Sequence, residues 1–167
     1  RQSNLLFQNN GLGNYTDITK ISGIFDLGKR IHRSALFADF DNDGRVDIYV
    51  TVNGQQIEDG KGNIINDENQ GKGILFQNKS SESNNWLKVR LEGTQSNRDG
   101  YGTFVIVETN EVKQKKSLSS GEGYFGNNAQ EIYFGLGQAK FIDKIEIQWP
   151  SGIKESYKSI KCNQTIY

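Results

Sequence analysis

The chain has 167 residues, and its 20 Lys and Arg balance 20 Asp and Glu, for a formal net charge of zero. The balance holds in both halves (9 basic and 11 acidic residues before Trp86, 11 and 9 from it onward), which disfavours a polycationic nucleic-acid or membrane-surface binder. No run approaches the roughly 20 apolar residues of a membrane helix.

The 19 Gly and 17 Asn supply turns that tolerate positive φ, a composition suited to many short strands. In chain order, apolar runs punctuated by Gly, Asn and Asp predict strands at residues 4–8, 15–18, 34–40, 46–52 and 73–77. The second half offers 86–91, 103–108, 112–119, 131–134, 141–149 and 155–158. Ile48, Val50 and Val52 alternate with Asp47, Tyr49 and Thr51, and residues 144–149 alternate as cleanly, the pattern of strands with one buried face. Residues 53–72 break the pattern. They are polar around Ile64 and Ile65 and read as a long inserted loop, expected to project from the face opposite the acidic turn at 41–47 and to contact a neighbouring subunit or ligand, the alternative being an insertion with no role. The fold class is all-β.

Leu6-Phe7-Gln8-Asn9 returns as Leu75-Phe76-Gln77-Asn78, each copy leading into a turn, which points to a repeated supersecondary unit of the size of a propeller blade once the insertion is set aside. A Ser/Asn/Glu-rich stretch at 80–85 marks a boundary, giving domains at 1–84 and 85–167. The chain opens at Arg1 in sequence that already reads as structured, as a fragment would, and shows no signal peptide. Cys162 is the one cysteine, so no internal disulfide forms and the redox compartment is open.

The sharpest local feature is Asp39-Phe40-Asp41-Asn42-Asp43-Gly44-Arg45-Val46-Asp47. Four carboxylates at positions 1, 3, 5 and 9 repel one another unless a cation neutralises them. Hard oxygen donors with no His or Cys nearby select Ca2+, Gly44 permits the sharp turn, and the Arg45 carbonyl would add a further ligand. An EF-hand does not fit, because position 12 is Val50 and the flanks are strands. The expected site is a strand–loop–strand calcium loop of Asp39, Asp41, Asp43, Arg45 (through its carbonyl) and Asp47. The plainer alternative is an exposed acidic turn without metal.

Residues 35–48 resemble the calcium-binding repeat of FG-GAP/VCBS β-propellers, and residues 4–11 with 15–19 resemble the strand pair of a preceding blade. Asn85-Trp86-Leu87, residues 96–100, Gly121-Glu122-Gly123-Tyr124, Phe134-Gly135-Leu136-Gly137 and Trp149-Pro150-Ser151-Gly152 resemble the ASPIC/UnbV domain that follows such propellers in cartilage acidic protein and bacterial secreted relatives. The resemblance implies partial propeller blades followed by a small C-terminal β-domain, an extracytoplasmic location and no defined catalytic residues. A closed propeller typically needs four to eight blades, more than residues 1–85 supply, so further blades are expected before Arg1 or in another chain.

Catalytic signals are thin, and no enzyme is expected. His32, between Arg30 and Arg33 in charge-rich sequence, reads as a surface residue, and Cys162 as a structural thiol. Ser119-Ser120-Gly121-Glu122-Gly123 lacks the Gly-x-Ser-x-Gly order of a nucleophile elbow. Trp86 and Trp149 read as core, Tyr124 and Phe125 in their Gly-rich turn are better candidates than these for exposed contacts, and Lys113, Lys115 and Lys116 read as a solvated face. The expected function is a calcium-binding interaction or assembly module that holds a protein partner; the alternative is a carbohydrate-binding appendage of a secreted enzyme.

Overall fold

A computed structural model describes residues 4–24, 31–53, 57–58, 60–61, 63–65, 71–81, 84–110, 112–124 and 126–167. Among these, all regular structure is β. The strands are β1 (Phe7–Asn9), β2 (Tyr15–Asp17), β3 (Ile31–Ala38), β4 (Asp47–Asn53), β5 (Ile57–Glu58), β6 (Ile64–Ile65), β7 (Ile74–Phe76), β8 (Asn85–Val89), β9 (Phe104–Glu108), β10 (Lys113–Ser117), β11 (Ile132–Gly137), β12 (Phe141–Gln148), β13 (Lys154–Lys161) and β14 (Gln164–Ile166). They form several open sheets and no closed barrel. Two compact units result: Arg1–Ala35 with Tyr49–Phe76, and Leu36–Ile48 with Gln77–Tyr167.

In the first unit β1 and β2 form an antiparallel hairpin with Phe7 opposite Asp17. The buried Thr19 ties its ends, its hydroxyl accepting from the Leu6 amide at 2.8 Å. Val50 of β4 is buried there, while Ile48 and Val52 are only half-covered, so the alternation in this strand is less complete than its sequence implies. The segment read as one loop, 53–72, contains a small ladder in which β5 pairs with β6. Residues 54–56, 59, 62 and 66–70 of that segment, and with them most of the expected projecting surface, lie outside the described residues.

The second unit is built on two sheets, β10-β9-β12-β13 and β11-β8-β14. Leu87, Val89, Val105, Val107, Ile132, Phe134, Leu136, Ile142, Ile145 and Ile147 share one core, contributed by both sheets as a sandwich requires. Strand β12 shows why these residues fold so: Ile142, Ile145 and Ile147 are buried while Asp143, Lys144 and Glu146 face outward. Strand β14, not anticipated from its polar sequence, pairs in parallel with β8, Thr165 opposite Lys88. Cys162 is half-buried beside this core and its thiol contacts the Ala139 carbonyl at 3.1 Å; burial pushes its pKa up, away from the reactive thiolate.

Candidate metal centre

Residues 39–47 join β3 to β4 and belong to the second unit. In the acidic loop the carboxylate oxygens of Asp39, Asp41 and Asp43 converge to within 4.8 Å of one another. Asx turns of the kind Asp and Asn favour set this shape. Asp39 Oδ1 accepts from the Asp43 amide at 3.0 Å and Oδ2 from the Gly44 amide at 3.1 Å. Asp41 Oδ1 accepts from the Asp43 amide at 3.3 Å, and Asp43 Oδ1 from the Arg45 amide at 2.8 Å. Asn42 and Gly44 adopt φ of +58° and +85°, so the sharpest part of the turn uses the two residue types that tolerate it best.

The remaining loop residues take different parts. Asp47 is buried, and its carboxylate closes the loop by accepting from the Phe40 amide at 3.0 Å and the Asn78 amide at 2.7 Å. Arg45 lays its guanidinium on the Asp43 carboxylate and donates from Nε to the Asn78 carbonyl at 2.9 Å. Asp41 is exposed; a hydrogen bond from Gln77 Nε2 at 2.5 Å is the main cause holding its carboxyl below the usual carboxylate range.

Several contacts come from residues that the sequence reading did not single out for this site. The second Leu-Phe-Gln-Asn copy supplies Gln77 to Asp41 and Asn78 to Asp47 and the Val46 carbonyl, so the repeat was a usable signal for these two. Trp86, expected in the core, is half-buried outside the sandwich core, with its indole against Gly44 so closely that a Cβ there would fall within 2.5 Å of Nε1, Cε2 and Cδ1. Tyr133 accepts from the Asp39 amide at 3.1 Å and donates to Glu131; burial, then that carboxylate, pushes its phenol pKa far up. Lys88 donates from Nζ to Asp39 Oδ2 at 3.2 Å and to Asn42 Oδ1 at 2.9 Å.

The donor chemistry fits a hard divalent cation. The converging groups are carboxylate oxygens, and the loop holds neither His nor Cys. A carboxylate has about four acceptor positions, and Asp39, the most engaged of the three, uses three of them within the protein.

The other candidates fall as follows. His32 is half-buried, with Nδ1 2.9 Å from Asn4 Oδ1, so the surface expectation is corrected. Trp149 packs against the core and donates from Nε1 to Glu155 at 2.8 Å. Tyr124 is exposed, and Phe125 lies outside the described residues. Lys113, Lys115 and Lys116 are exposed along β10, and Lys116 Nζ donates to the Tyr133 carbonyl at 2.6 Å. A cleft of about 740 Å³ opens in the second unit, lined among others by Arg90, Leu91, Trp149, Glu155, Tyr157 and Tyr167.

Residues 1–50 match the family model of an FG-GAP-like repeat, and residues 93–167 match that of the ASPIC and UnbV domain. Residues 51–92, including Trp86 and Lys88, lie outside both matches. No curated protein matches the chain.

Proposed function

We propose that this chain is a non-enzymatic, extracytoplasmic interaction module whose acidic loop takes one calcium ion and whose two units serve to hold a protein partner or organise an assembly. The observation that carries the reading is the convergence of the Asp39, Asp41 and Asp43 carboxylates in a loop shaped by Asn42 and Gly44. Asp41 and Asp43 would present oxygens from the outer side and Asp39 from beneath, while Asp47 holds the loop closed. A calcium ion would cancel the mutual repulsion of the carboxylates and pin β3 to β4. The FG-GAP-like repeat and the ASPIC and UnbV domain support the interaction role and the location.

Titration calorimetry of the full chain with calcium chloride tests the metal. One ion is expected to bind, and Asp41→Ala, which leaves the buried Asp39 and Asp47 in place, should weaken binding and shrink the calcium-induced rise in melting temperature. No binding at millimolar calcium would refute it. A second reading, a carbohydrate-binding appendage, draws on the cleft, whose lining includes Trp149 and Tyr157, both donating to Glu155. A glycan array separates the two, the interaction reading expecting no signal.

A further inference from the structure

Strand β8 presents Leu87 and Val89 to the sandwich core, so by the two-residue period Lys88 points to the opposite face of its sheet. Tyr133, opposite Lys88 on β11, shares that face. A lysine on an outer sheet face is ordinarily solvated. Here its side chain is only 3% exposed, and the Asp39 side chain beside it is fully buried. The acidic loop is what covers it. The ammonium reaches Asp39 and Asn42, lies 3.9 Å from Glu131, and sits 5.9 Å from the centre of the Tyr133 ring.

Resting on the calcium reading above, we propose that Lys88 is a built-in counter-ion of the acidic loop, competing with the divalent cation for Asp39 and so setting the affinity of the site from β8. A second cation, Arg45, also touches the loop, but its side chain is 40% exposed and can turn into water. Lys88 has no such exit. With Asp39 as the shared anion, its charge would stand close to a bound calcium ion, and like charges about 5 Å apart repel by several times thermal energy even at an effective dielectric of about 20. In metal-free protein Lys88 neutralises Asp39 and keeps the loop shaped; calcium must displace that pairing or tolerate the charge. The arrangement makes the loop preformed and its affinity moderate.

Lys88→Met removes charge and donor, and Lys88→Gln removes the charge while keeping a donor for Asn42, a milder change should the first variant fold poorly. Far-UV circular dichroism establishes that each folds. Calorimetry with calcium chloride on the full chain should show both variants binding about tenfold or more tightly than wild type. In EDTA both should melt below wild type, because Asp39 is left buried without its partner, and calcium should raise their melting temperatures by more. Calcium binding that is unchanged or weaker in both variants overturns the counter-ion role while leaving the calcium reading intact. Absence of binding in all three proteins refutes the calcium reading, and the competition falls with it.

Discussion

Gly44 is where the acidic loop meets its cover, and Gly44→Ala probes both constraints on it. At φ +85° a residue with a Cβ loses about 1–2 kcal/mol relative to glycine. The new Cβ would also lie within 2.5 Å of three atoms of the Trp86 indole, a rigid ring that has to be displaced bodily. Overpacking of that kind costs about 1–3 kcal/mol, for a total of about 2–5 kcal/mol. The two contributions separate in a Trp86→Ala background, where the conformational cost persists and the clash is gone. Gly44→Ala should then cost about 1–2 kcal/mol, leaving a coupling of about 1–3 kcal/mol between the two positions. Urea denaturation followed by far-UV circular dichroism, in EDTA so that metal binding does not contribute, measures all four corners of the cycle. An equal cost in both backgrounds would refute the contact between Trp86 and the loop. A cost below about 0.5 kcal/mol in the wild-type background would refute the backbone argument as well.

Three further outcomes follow from the same structure. Phe134, 1% exposed in the middle of the sandwich, should cost about 3–5 kcal/mol of unfolding free energy when replaced by alanine, read by the same denaturation assay. Glu146 accepts from Lys144 and Gln148, which together hold its carboxyl from an ordinary 4.5 down to about 2. A depressed folded pKa means that its contribution is complete above about pH 4.5 and lost as pH falls towards 2, so Glu146→Gln should flatten stability against pH in that window alone; the effect is small because the pair lies on the outer, solvent-screened face of the sheet, and an NMR carboxyl titration with a midpoint near 4.5 would rule it out. A fragment of residues 85–167 keeps the whole shared core and should melt cooperatively while exposing Lys88; a non-cooperative melt would show that residues 36–48 and 77–84 are needed for the sandwich to fold.

Much of this protein was determined locally, and the local information was legible. Alternation marks β12 because a strand with one buried face must alternate, and the Asp spacing of residues 39–47 marks the loop because Asx turns and glycine act over two to five residues. Tertiary structure decided what those short-range signals leave open. Strand β14 exists through its parallel pairing with β8, nearly 80 positions earlier, so its own polar residues carry no sign of it. Asp47 matches its neighbours in sequence, yet the amides of Phe40 and Asn78 make it the clasp of the loop. Lys88 is the clearest case. Its strand period points it outward, where a lysine belongs in water, and only the arrival of the acidic loop, 46 and 49 residues away at Asn42 and Asp39, turns that surface into a buried charge pair. Periodicity states which way a side chain points; it carries no information about what will later cover it.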